Sequence, residues 1–97
     1  MQFKKQISLE DFKTEIKTKV REQAQQRYEK IVSDREAVEW CLKMIQRLAA
    51  GQQLTAAMTA KITAIQALRD AETTAVQSIN TATTKAEIRT AWQIFKQ

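Results

Sequence analysis

Histidine and proline are absent from this chain of 97 residues, and glycine and cysteine occur once each, as Gly51 and Cys41. Without imidazole, the commonest general base and metal ligand is missing. Ser-His-Asp and Cys-His nucleophiles cannot be assembled, and one thiol alone builds no Cys/His zinc site. A single Cys excludes an internal disulfide. One glycine is too few for the phosphate-cradling loops of Walker or Rossmann type. Asn-Gly and Asp-Gly, the dipeptides that close tight hairpins, do not occur, which argues against antiparallel sheet. No apolar run approaches the roughly 18 residues of a membrane span. "MQFKKQISLEDF" lacks the apolar core of a secretory signal. A cytoplasmic protein is the expectation, and a chain that opens on Met without a tag reads as a complete small open reading frame.

What remains favours helix. Ala, Gln, Lys, Glu and Leu are abundant, and all are good helix formers. Hydrophobic residues make up 43% and charged residues 28%, the balance of a globular chain. The expected fold is all-α: a small bundle of three to four helices in one domain over residues 1–97, with residues 1–8 a flexible N-terminus. A chain this short buries roughly 60–68% of its unfolded surface, so its core is thin.

The net charge of +5 is spread as +3 over residues 1–32, zero over 33–51 and +2 over 52–97. That favours solubility and weak attraction to polyanions, without the dense basic stripe of a nucleic-acid reader.

Ser8 followed by Leu9, Glu10 and Asp11 is a good helix start. The seam Leu9, Phe12, Ile16, Val20, Ala24, Tyr28, Ile31 advances by three or four residues throughout, which is helical. It is narrow, and the expectation is a long helix lying outside the domain. Ser33 and Glu36 then form a capping-box pattern, with Val32 and Ala37 as the staple pair. A second helix starting at Asp34 fits this better than one helix over 9–50, because an extended seam would turn Arg35 and Glu39 inward. Its apolar face is broad: Ala37, Val38, Trp40, Cys41, Met44, Ile45, Leu48. Gly51 is its left-handed cap. Cys41, in the middle of that face, reads as a buried, inert thiol.

A third helix is expected from near Thr55 to about Asn80, on the seam Leu54, Ala57, Met58, Ile62, Ile65, Leu68, Val76, Ile79. Glu72 falls near the centre of that stripe, which predicts a kink or break around residues 70–74. Thr84 and Glu87 repeat the capping-box pattern, and Ile88, Ala91, Trp92 and Phe95 make the face of a short last helix. The core anchors expected from these faces are Trp40, Met44, Ile65, Leu68, Trp92 and Phe95.

"LTAAMTAKITAIQAL", residues 54–68, holds one charge, Lys61. Thr55, Thr59 and Thr63 flank one side of its apolar stripe and Ala56, Ala60 and Ala64 the other. Such small residues let another helix approach closely. These six are therefore the candidate helix–helix interface, either inside the domain or toward a second copy or partner. Both versions make the third helix the most buried and the first the exposed one.

Carboxylate pairs occur at Glu10/Asp11, Glu36/Glu39 and Asp70/Glu72, but nothing in the pattern encloses them in the pocket that acid–base chemistry needs. Lys13, Lys17 and Arg21 stand four apart and could meet phosphates, although Glu10, Asp11, Glu15 and Glu22 interrupt the same helix. "RLAAGQQLTAAMTAKI" has the outline of a helix-turn-helix, yet its second helix opens without the Arg, Asn or Gln that read base edges. No enzyme, cofactor, metal or small-molecule substrate is expected. The reading is a protein–protein interaction module with a protein partner and possible homo-oligomer, with nucleic-acid binding through Lys13, Lys17 and Arg21 as the alternative.

The stretch "ALRDAETTAVQSINTATTKAEIRTAW", residues 67–92, resembles the Ala/Thr-rich helical tails of small proteins of tailed bacteriophages and prophages. The resemblance implies a short accessory protein in the cytoplasm of a bacterial host, a tail-assembly helper or a binder that inhibits a host enzyme. It carries over no functional residue.

Overall fold

A computed structural model describes residues 7–97; residues 1–6, with Lys4 and Lys5 and most of the terminus expected to be flexible, lie outside the described part. The fold is all-α. Four helices, α1 (Leu9–Ile31), α2 (Asp34–Ala49), α3 (Ala56–Thr81) and α4 (Lys85–Lys96), hold 85% of the described residues, and no strand occurs among them.

The ends are set by local chemistry. The Asp11 amide donates to Ser8 Oγ at 3.1 Å, fixing the start of α1. Residues 9–50 are two helices, with the break at Val32–Ser33. Ser33 is the N-cap of α2: the Glu36 amide donates to its Oγ at 3.2 Å, and that hydroxyl donates back to Glu36 Oε1 at 2.9 Å. The C-terminus of α2 closes in a Schellman motif, with the Gln52 amide on the Arg47 carbonyl at 2.9 Å and the Gly51 amide on the Leu48 carbonyl at 3.1 Å. Gly51 sits at φ 74°, the left-handed region the sequence reserved for it. Thr84 caps α4 by accepting from the Glu87 amide at 3.2 Å, and Glu87 reaches back to the Thr83 amide at 3.1 Å.

α3 is helical without interruption through residues 70–74, against the expected break. Glu72 does stand on the stripe between buried Leu68 and Ala75, but it is only partly buried. A glutamate that is only partly buried can stand there without any change in the backbone.

The chain divides into two compact units, and α1 and α3 each contribute a segment to both. The first unit comprises Met1–Gln23 and Ala71–Gln97, which brings together the start of α1, the end of α3 and all of α4. Its interior holds Ile16, Val20, Ala75, Ile79, Ala82, Ile88, Ala91 and Phe95, with Val20, Ile79 and Ile88 wholly out of solvent. The first helix is thus a core element here and not the outlying helix its narrow seam suggested. Two well-spaced apolar side chains, Ile16 and Val20, suffice where the neighbours also carry alanine. Trp92, expected as an anchor, is partly exposed and stacks on buried Phe95 with ring centroids 6.4 Å apart.

The second unit is Ala24–Asp70: the end of α1, all of α2 and the start of α3. Its buried apolar residues are Ala24, Met58 and Leu68. Trp40, Met44 and Ile65, three of the expected anchors, are only partly buried. A lysine closes a helix end in each unit. In the first, Lys13 Nζ donates to the Asn80 carbonyl in the last turn of α3 at 3.0 Å. In the second, Lys61 Nζ donates to the carbonyl of Ile31, the last residue of α1, at 2.7 Å, and lies 4.9 Å from the Trp40 ring centroid. Both cations meet carbonyls that a helix leaves unsatisfied, at the negative end of its dipole.

Candidate interaction face on helix α2

The apolar residues of α2 cover an arc of about 200° at 100° per residue, too wide for one contact. The structure splits it. Ala37, Trp40, Met44 and Arg47, spaced by three, four and three, are partly buried. Val38, Leu42, Ile45 and Leu48 are 67%, 54%, 62% and 60% exposed, and Cys41 among them is exposed as well. No residue of α2 is buried. The expectation of a buried Cys41 is therefore corrected: the thiol lies on the solvent half of the face, because the inward half ends at Trp40 and Met44. The spacing 38, 41, 45, 48 is the three-four-three of a helix–helix seam, and among the described residues nothing covers it.

Charge around this face follows a pattern. Asp34, Glu36 and Glu39 fall in the N-terminal half of α2 with Arg35, while Lys43 and Arg47 fall in the C-terminal half. The helix is neutral in sum, so the chain's +5 lies entirely outside it. Lys43 pairs with Glu39 at 3.2 Å across exposed surface, and Arg47 Nε donates to the Gln53 carbonyl at 2.8 Å. An open hollow of ≈ 320 Å³ lies beside these residues, lined by Lys43, Gln46, Arg47, Gln52 and Met58. Its size is at the low end for a small-molecule site, and Lys43 and Arg47 are the charged side chains of its lining.

The small-residue pattern on α3 has a different outcome from the one expected. Ala56, Thr59, Ala60, Thr63 and Ala64 are exposed and Thr55 is partly buried. Burial on α3 follows Met58, Leu68, Ala75 and Ile79 instead. The low charge of this helix therefore does not mark it as the most buried element: alanine and threonine are small enough to stand in water at little cost.

The three cations of the expected polyanion ridge are not brought together as free charges. Lys13 is 9% exposed and engaged with the Asn80 carbonyl, with Glu10 3.7 Å away. Lys17 Nζ donates to Asn80 Oδ1 at 3.0 Å. Arg21 is exposed. Two of the three thus serve the C-terminal turn of α3, where ammonium groups are favoured by the helix dipole. Their four-residue spacing reflects that shared neighbour. Sequence reasoning found the broad face of α2 but assigned it to the core, since spacing alone does not tell which part of a wide arc is covered.

Among the described residues no group of three or more His, Cys, Asp or Glu side chains could hold a metal ion. No helix is long and apolar enough to cross a membrane. Comparison with protein-family models, with curated proteins and with solved structures returns no match to this chain.

Proposed function

We propose that this protein is a non-enzymatic interaction module that docks through the outer face of α2. The observation that carries the reading is a helix with four large aliphatic side chains more than half exposed and no buried residue. Leaving this much aliphatic surface in water forgoes about 25 cal/mol per Å² of apolar area. Contiguous apolar patches on small proteins mark partner sites. The residue types available support the same reading, since the chain holds no histidine and one thiol. The resemblance of residues 67–92 to tailed-phage proteins is the ground for casting the module as an assembly helper or an inhibitor.

The test is comparative capture from nuclease-treated bacterial lysate with the tagged protein and its L42E/I45E variant. Both side chains are solvent-exposed, so the variant is expected to keep the wild-type circular dichroism and melting curve. A protein held by the wild type, including untagged copies of the chain itself, and lost with the variant supports docking through α2. Equal capture by both overturns it.

A further inference from the structure

The second unit, Ala24–Asp70, carries a conformational device. We propose that it opens and closes as a cooperative block of its own while the first unit keeps its fold, and that Lys61 is the latch that holds it shut. The device stands whatever α2 docks to.

Burial of apolar side chains, the main favourable term in folding, is divided unequally between the units. Val20, Ile79 and Ile88, the large side chains wholly out of solvent, all belong to the first. The second buries Ala24, Met58 and Leu68, and α2, the one helix that lies wholly within it, has no buried residue. Regions with few buried apolar side chains open below the free energy of global unfolding, and they open as contiguous blocks. Here the block is the end of α1, all of α2 and the start of α3.

What the apolar interior lacks, one side chain supplies in part. Lys61 stands on α3. Its Nζ donates to the carbonyl of Ile31 at the end of α1 at 2.7 Å, and it lies 4.9 Å from the ring centroid of Trp40 on α2. One ammonium thus touches all three segments of the unit, through a charged hydrogen bond and a cation–π contact. The departure of any segment removes a contact of the same group, which couples the three.

Opening changes the surface that the chain presents. Ala37, Trp40 and Met44, the partly buried stripe of α2, then join the exposed Val38, Leu42 and Ile45. An apolar arc wider than one contact needs is divided in the closed unit and continuous in the open one.

Amide exchange of the full chain, followed residue by residue by NMR at rising sub-denaturing urea, tests the proposal. In the wild type the central amides of α2 are expected to exchange at least about tenfold faster than those of α4, relative to their intrinsic rates. Their urea dependence is expected to be shallower than that of α4 but not zero, because opening exposes one unit only. Residues 24–31 and 56–70 are expected to share the opening of α2. K61M keeps the apolar stem and removes the ammonium. It is expected to speed all three segments by one common factor, about tenfold or more. I88V trims the interior of the first unit. It is expected to speed α4 and residues 71–81 by about 3–10-fold and to leave α2 unchanged.

A single opening and one urea dependence shared by α2 and α4 overturn the proposal. So does an I88V variant that speeds α2 as much as α4, or α2 amides that exchange one by one with no urea dependence. K61M exchange that matches the wild type, or that rises in α2 without residues 24–31 and 56–70, removes the latch.

Discussion

Helices α2 and α4 start from the same design and end differently. Each follows a Ser or Thr N-cap bonded to the amide of a Glu three residues on. Each carries one broad apolar face. In the first unit, Ile88, Ala91 and Phe95 of α4 are buried beside Ile16, Val20, Ala75, Ile79 and Ala82. In the second, no residue of α2 is fully buried, and the interior reduces to Ala24, Met58 and Leu68. Amphipathicity is therefore not evidence of burial. It says that a face is meant to be covered, and the supply of apolar side chains on neighbouring elements decides whether the same chain covers it. The segment facing α4 in its unit supplies Ile, Val and Ala at helical spacing. The start of α3 in the second unit supplies Ala and Thr, which stay exposed at Ala56, Thr59, Ala60, Thr63 and Ala64.

The sharpest break in this comparison is a pair of truncations. Ile88→Ala or Ile79→Ala, at side chains wholly out of solvent, is expected to cost about 2–5 kcal/mol. Ile45→Ala or Leu42→Ala on α2 is expected to stay within about 0.5 kcal/mol, as surface changes do. Urea denaturation measured at low protein concentration separates the two groups. A cost above 2 kcal/mol at Ile45 would mean that α2 is a core helix.

Next in size are the lysines that close helix ends. Lys13→Met keeps the apolar stem and removes the donor from the Asn80 carbonyl, and Lys61→Met does the same for Ile31. A hydrogen bond to a charged group contributes about 1.5–3 kcal/mol. Lys13→Met is expected to fall in that range, because its donor is nearly buried. Equal and negligible losses for both would remove the helix-end role. Gly51→Ala is expected to cost about 1–2 kcal/mol. The left-handed conformation disfavours a Cβ by that amount, and at Gly51 the added atom meets nothing within 4 Å. Its effect is thus purely conformational and should be matched by Gly51→Ser. Smallest is Ser33→Ala, about 1 kcal/mol as for other N-caps. Thr84→Ala is its counterpart on α4. If the two units differ in how firmly their amphipathic helices are held, amide exchange in α2 should rise more after Ser33→Ala than exchange in α4 does after Thr84→Ala.

The element boundaries were legible in the residues because their causes are local. Ser8, Ser33, Thr84 and Gly51 act on amides and carbonyls within five positions, and all four do in the structure what their neighbours in sequence imply. What failed was non-local. Nothing near Cys41 in sequence tells that the inward half of α2 stops at Met44. Nothing near Lys13 and Lys17 tells that Asn80, more than sixty positions away, will take both ammonium groups. Glu72, near the centre of the apolar stripe, predicts a kink or break around residues 70–74 from the sequence, and partial exposure removes the conflict. The Ala/Thr repeat of α3 misleads for a related reason: small side chains permit close approach but do not require it.

One measurement bears most directly on the claim that the outer face of α2 is open. It is the rate at which Cys41, the chain's only thiol, reacts with a small disulfide reagent in the folded protein at dilute micromolar concentration. The account expects reaction as fast as in a short unfolded peptide. A thiol protected in the dilute, folded chain would contradict the open face.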